Sequence, residues 1–122
     1  MRAARWGRVL AITSATVRQP TPKLMLSTMA RAGATGFLKS LALEVAVDGV
    51  TVNSIQPGSH DTERLRSLYG GDLSRAAADV PMGHVGDADD FGRVAAFLCS
   101  ESARFITGAA IPVDGGRWDG LQ

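Results

Sequence analysis

Short apolar runs alternate along this chain with longer stretches of helical spacing. Arg8-Val9-Leu10-Ala11-Ile12-Thr13, after Gly7, is apolar and partly β-branched and reads as a buried strand. Pro20 and Pro22 break the chain, since each fixes φ and removes a backbone donor. From about Lys23 to Ala46, apolar residues at Ala30, Ala34, Phe37, Leu41 and Val45 mark one stripe of a long helix. Asp48-Gly49 ends it, with glycine suited to the left-handed terminus. Val50-Thr51-Val52-Asn53-Ser54-Ile55 alternates and is a second strand, closed by Pro57-Gly58.

A polar excursion follows from Ser59 to Met82. It has weak helical character at Thr62–Tyr69 and Leu73–Ala78 and a turn at Gly70-Gly71. Asp87 through Ser100 is a clearer helix. Asp87 is placed to cap it, Asp89 and Asp90 suit its positive end, and Phe91, Val94, Ala95 and Leu98 form its stripe. Ala109-Ala110-Ile111-Pro112-Val113 reads as a last strand, with the proline pointing to an edge or a strand end. Strands alternating with helices predict one α/β domain over residues 1–122, built on a parallel sheet with right-handed crossovers. In such sheets ligands sit beyond the carboxyl ends of the strands. Ser14 and the loop after Gly58 both follow strand ends and are expected at one crevice.

Composition narrows the reading. With 45% hydrophobic residues the chain has material for a core. The net charge of +1, with scattered arginines, gives no electrostatic case for nucleic acid or an anionic membrane. No run approaches the roughly 18 apolar residues of a membrane span, and Val9–Ile12 is too short for a secretory core. A soluble cytoplasmic protein is expected. Cys99 is the only cysteine and reads as a small buried hydrophobe. Cys99, His60 and His84 have no metal-ligand spacing.

Four segments, in order, carry a resemblance. They are Gly7-Arg8-Val9 through Ser14, Gly36-Phe37-Leu38-Lys39-Ser40-Leu41-Ala42-Leu43-Glu44, Val50-Thr51-Val52-Asn53 with Pro57-Gly58, and Ile106-Thr107-Gly108 with Val113-Asp114-Gly115-Gly116. Together they resemble the C-terminal half of a classical short-chain dehydrogenase/reductase, of the kind represented by 3-oxoacyl carrier-protein reductases. The resemblance implies a Rossmann-like, doubly wound parallel sheet. It implies an NAD- or NADP-dependent oxidoreductase acting on a small or medium carbonyl or alcohol, and assembly into homodimers or homotetramers. The family's glycine-rich nucleotide turn lies in its first half and has no counterpart here. That is expected to make the chain weak or inactive alone, as a truncated product, a misassigned start or a fragment. The alternative is a non-catalytic pseudoenzyme or assembly subunit that pairs with a complete relative.

The resemblance also assigns residues. The family's proton-donating tyrosine aligns with Ser27, its lysine with Arg31, and its carbonyl-binding serine with Ser14. Residues i and i+4 share a helix face, so Ser27 and Arg31 project together. The chemistry transfers incompletely. A phenol has a pKa near 10, whereas an aliphatic hydroxyl is far less acidic and shorter. Arg31 suits holding ribose hydroxyls or a phosphate but does not relay a proton as lysine does. Each residue has a plainer reading too: Ser14 as a local cap, Ser27 as a helix N-terminal residue satisfying backbone donors, Arg31 as a solvated surface residue. Pro57-Gly58-Ser59-His60-Asp61-Thr62 resembles the loop that binds the nicotinamide carboxamide through backbone groups and a threonine, here Thr62. The family usually has Val or Ile where His60 stands, which makes His60 a candidate for the missing acid and a solvent-facing loop residue the alternative. Tyr69, the one tyrosine, is a weaker donor candidate. Ala32-Gly33-Ala34-Thr35-Gly36 imitates a dinucleotide turn, but no strand precedes it. It reads as small residues on a helix packed closely against a neighbour.

Overall fold

The computed structural model describes residues 1–120. The chain runs β1 (Gly7–Ile12), α1 (Met25–Val45), β2 (Val50–Pro57), α2 (Glu63–Leu68), α3 (Leu73–Ala77), α4 (Ala88–Leu98) and β3 (Ala110–Val113). Single 3-10 turns lie at Ala15–Val17, Ala46–Asp48 and Glu101–Ala103. All strand pairs are parallel and the order is β1-β2-β3. This is the α/β parallel architecture that the alternation predicts. β2 is central, and every residue from Val50 to Gln56 is buried.

Strand alternation divides the core between two faces. Val50 and Val52 face α1 and join Ala42 and Val45, with Val9, Leu38 and Leu41 alongside. Ile55 faces the other way and joins Leu98 and Ala103, with Leu10, Phe91, Val94 and Ile111 alongside. The register Val9↔Val52 and Leu10↔Asn53 carries this division across both strands. Pro112 sits on β3, which pairs only with β2 among the described strands, so its missing donor leaves no ladder bond unmade.

Local chemistry sets the element ends. Gly49 takes φ 72° after the turn that closes α1. Asp87 caps α4, its Oδ1 accepting from the Asp89 and Asp90 amides at 2.7 and 3.0 Å. Buried Asn53 donates to the Ile106 carbonyl at 2.8 Å and accepts from the Ala109 amide at 3.1 Å. Thr107 Oγ1 accepts from the Val52 amide at 3.0 Å. Side chains of β2 and the 106–109 turn thus place the start of β3.

Three expectations fail. Of the predicted α1 stripe, Leu41 and Val45 do pack on the core, but Ala30, Ala34 and Phe37 do not face the sheet, and Phe37 is 66% exposed. The inward face is rotated and uses Thr28, Thr35, Leu38, Leu41, Ala42 and Val45. Cys99 is exposed rather than buried, because α4 ends at Leu98, the residue of its last turn that packs on the core. Gly33 and Gly36 pack against no neighbour: a Cβ at either would meet nothing within 4 Å. They lie in mid-helix, which removes the dinucleotide-turn reading.

Candidate active site

The carboxyl ends of β1 and β2 bring two candidate segments side by side. Ile12 and Ile55 are paired, and the Thr13 amide donates to the Ile55 carbonyl at 2.9 Å. Ser14 leaves β1 from this point and opens the 15–17 turn, which lies against α1. Its Oγ accepts from the Thr16 amide at 3.2 Å and from Thr16 Oγ1 at 3.0 Å. Both bonds occupy lone pairs, so the Ser14 hydroxyl proton is left for another acceptor. The capping reading of Ser14 is therefore observed, and it leaves the donor reading open.

Ser27 and Arg31 lie one turn apart at the start of α1. The Arg31 guanidinium donates to Ser27 Oγ. The helix cap position is Leu24, with no side-chain cap, so Ser27 is not the residue that satisfies the helix end. Thr35, a further turn on, donates to the Arg31 carbonyl at 2.9 Å. Among the described residues no carboxylate pairs with Arg31, so its charge is uncompensated.

The 57–62 loop is positioned by close backbone packing. A Cβ on Gly58 would fall 2.6 Å from Asp114 Cα, so only glycine allows the turn after β3 to lie there. The Gly58 amide donates to the Val113 carbonyl at 2.9 Å. His60 forms an isolated parallel bridge with Gly86. The Gly86 amide donates to Ser59, and the Asp61 amide to Gly86, at 2.9 and 2.8 Å. In such a bridge the His60 N–H and C=O point away from Gly86, and neither has a hydrogen-bond partner among the described residues.

The His60 side chain has a different environment from its backbone. Its ring meets Phe91 of α4 edge-on at 4.9 Å, and Nδ1 lies 3.3 Å from the Gly58 carbonyl. It lines a cavity of about 200 Å³ between this loop, α4 and the end of β3. The ring is half-buried in loop packing, not held out into solvent, and no hydrogen bond joins it to Ser14, Ser27 or Arg31. Thr62 caps α2, its Oγ1 accepting from the Leu65 amide at 3.2 Å. Asp61 and Arg66 form a two-pronged pair at 2.6 Å for both contacts. The Arg66 hydrogen bond holds the Asp61 carboxyl below its ordinary value of 3.8. Tyr69 is half-buried at the end of α2.

Sequence reasoning missed the C-terminal segment. Arg117 donates to buried Ser59 Oγ at 2.8 Å and pairs with Asp79 of the excursion at 3.7 Å. Asp119 accepts from Gln19 at 3.1 Å, and Arg18 lies over the Trp118 ring at 5.4 Å. One short tail thus ties together the exits of β1 and β2 and the excursion. Gln56 was missed as well. It is fully buried, yet neither end of its amide has a partner among the described residues. A polar side chain inside a β-branched strand was the available signal.

The comparisons with known proteins bear on the fold and the family. A family model described as enoyl-(acyl carrier protein) reductase matches residues 1–117. The chain is similar to 3-oxoacyl-[acyl-carrier-protein] reductase FabG of Pseudomonas aeruginosa, with 36% identity over 97% of this chain and 48% of that protein. It is similar to acetoacetyl-CoA reductase of Shinella zoogloeoides, with 37% identity over 97% of this chain and 49% of that one. Among solved structures, it resembles YwfH, an NADPH-dependent reductase involved in bacilysin biosynthesis, with a TM-score of 0.92 and 28% identity over 98% of this chain and 50% of that one. It also resembles ElxO with NADP bound, with a TM-score of 0.87 and 28% identity over 96% and 48% of the two chains. The chain spans about half the length of the relatives it matches. With a family model matched over residues 1–117 and the parallel α/β sheet in place, the chain belongs to the short-chain dehydrogenase/reductase family.

Proposed function

We propose that this chain carries the substrate-side half of an NAD(P)-dependent reductase acting on a small or medium carbonyl compound, with 3-oxoacyl thioesters as the leading class. The bound nicotinamide would supply hydride chemistry. The residues fit that group at one observed point. The free N–H and C=O of His60 offer one donor and one acceptor side by side, which matches the two ends of a carboxamide. Pro57 and Gly58 set the path of that loop, and Thr62 lies at its far end. Arg31, with no carboxylate partner, is a fixed cation for ribose hydroxyls or a phosphate.

Ser14 supplies the donor to the substrate oxygen, and this single observation carries the reading: its oxygen is already held by two donors while its proton stays free. Ser27 takes the place of an acidic phenol. The Arg31 N–H donates to Ser27 Oγ and favours an oxygen that releases its own proton. An aliphatic hydroxyl remains a weaker acid than a phenol, so part of the roughly 10²–10⁴-fold available from positioned acid–base catalysis is given up. His60 is the alternative acid. Its ring packing on Phe91 supports a loop role over that one.

A second reading, a non-catalytic subunit that assembles as a homo-oligomer or with a complete relative, is favoured by the exposed apolar face of α1. Met25, Leu26 and Met29 are each more than two-thirds exposed. NADPH titration followed by nucleotide emission separates the two. Weak but saturable binding to the chain, lost in Arg31→Ala, supports the reductase. Binding that appears only after a complete relative is added supports the subunit.

A further inference from the structure

On the α1 side of the sheet lies a second cavity of about 300 Å³. Arg18, Lys39 and Thr35 stand at its walls, Ser54 of β2 at its floor, and Gly108 and Ala110 at the β3 edge. Three features make it a built site. First, Ser54 is 1% exposed and its Oγ has no hydrogen-bond partner among the described residues. Strand alternation with Val52 points that hydroxyl toward α1 and the cavity. Second, both cations are uncompensated. Among the described residues no carboxylate lies within ion-pair distance of Arg18 or Lys39. Asp119, on the same tail as Trp118, is taken by Gln19.

Third, both cations are held at the cavity by neutral groups. Lys39 Nζ donates to the Gly108 carbonyl at 3.1 Å, and Arg18 donates to the Ala110 carbonyl at 3.3 Å while lying over Trp118. Gly108 lies close beside the lysine tip. A Cβ on Gly108 would fall 2.9 Å from Lys39 Nζ, and its φ of 68° is one that other residues rarely adopt. Carbonyl partners orient a cation without neutralising it.

We propose that this cavity binds the phosphate group of a small phosphate ester. Two uncompensated charges match a phosphate dianion better than a carboxylate monoanion. Lysine as a point charge and arginine as a planar fork are the side chains that hold phosphate. Ser54 donates its hydroxyl to a phosphate oxygen, which satisfies the orphaned group. The volume is several times the roughly 30 Å³ share of one water, so it leaves room for an organic arm beyond the phosphate. The inference does not depend on the reductase reading.

The test is a nuclear magnetic resonance titration of the isotope-labelled chain with inorganic phosphate, glycerol 3-phosphate and acetate at constant ionic strength. Phosphate is expected to give saturable shifts at the Ser54, Gly108 and Ala110 amides. Glycerol 3-phosphate is expected to bind at least as tightly. Arg18→Gln or Lys39→Gln is expected to weaken binding about tenfold, the cost of one charge-assisted contact. Both residues are exposed, so the variants keep the native spectrum. Ser54→Ala is expected to weaken binding several-fold while raising the melting temperature of the free protein, because it deletes an unpaired buried hydroxyl. Purely structural roles for these residues do not produce that opposition. Unsaturated drift equal to that with chloride, saturation unchanged in the double variant Arg18→Gln/Lys39→Gln, or acetate binding as tightly as phosphate would each overturn the proposal.

Discussion

Replacing Gly58 by alanine tests how the carboxyl ends of β2 and β3 are joined. The new Cβ would lie 2.6 Å from Asp114 Cα, 2.7 Å from its Cβ and 3.0 Å from its carbonyl oxygen. These atoms belong to the backbone and its first side-chain carbon, so no flexible tip can swing aside. Relief requires the 114–116 turn to move outward, which strains the bond from the Gly58 amide to Val113. Forcing one extra carbon into a packed site costs about 1–3 kcal/mol. For a domain of 122 residues each kcal/mol is about 3–6 °C in melting temperature, so Gly58→Ala is expected to melt roughly 3–18 °C lower. Gly33→Ala is the internal control. Its Cβ meets nothing within 4 Å in mid-α1, and alanine gains about 0.5–1 kcal/mol of helix propensity there. Circular dichroism melts of both variants decide the matter. A Gly58→Ala protein that melts with the parent, or a Gly33→Ala protein that melts as low as Gly58→Ala, refutes the close-approach argument.

Asp87→Ala removes the acceptor for two α4 amides and is expected to cost about 1 kcal/mol by urea denaturation, with Asp87→Asn retaining most of it. Leu98→Ala opens the α4-side core at a residue 3% exposed and is expected to cost about 2–5 kcal/mol, the largest loss of this set in the same assay. The Asp61 carboxyl titrates below its ordinary 3.8 because Arg66 bonds to it, so its contribution is present above the unfolded value and is lost as pH falls through the lowered one. Arg66→Gln is therefore expected to move the Asp61 carboxyl titration, read by carbon resonance, back up toward 3.8. Its stability deficit relative to the parent is expected to close on acidification.

The candidate residues Ser14, Ser27 and Arg31 are legible through the family resemblance, and spacing says only how they are arranged. A four-residue interval on a helix forces Ser27 and Arg31 onto one face, and a strand end followed by Ser14 puts that hydroxyl at the sheet's carboxyl edge. What spacing cannot show is who occupies a hydroxyl's lone pairs. The two Thr16 bonds to Ser14 are local, but they depend on Ser14 capping a 3-10 turn that no periodicity announces. His60 was legible as a departure in an otherwise apolar position, and its partner Phe91 explains the tolerance: the ring packs edge-on where an aliphatic side chain would sit. The tail contacts of Arg117, Trp118 and Asp119 span intervals of up to 100 residues, and nothing in local pattern encodes them.

The misread face of α1 follows from competition between two apolar surfaces on one helix. Ala30, Ala34 and Phe37 compete with Thr28, Thr35, Leu38 and Ala42 for the sheet. By hydrophobicity alone the first set wins, since Phe37 outweighs any member of the second. Volume reverses the choice. The α1 face of the sheet presents Val52, Ser54 and Gln56 on the central strand, two of them polar, and Ala42 fits against Val52 where a phenylalanine would not. Thr35 of α1 then shares a cavity with Ser54 of β2, and the smaller aliphatic residues lie over Val50 and Val52. Orientation is thus fixed by the match of size and polarity along the strand, and the larger apolar set is left outward.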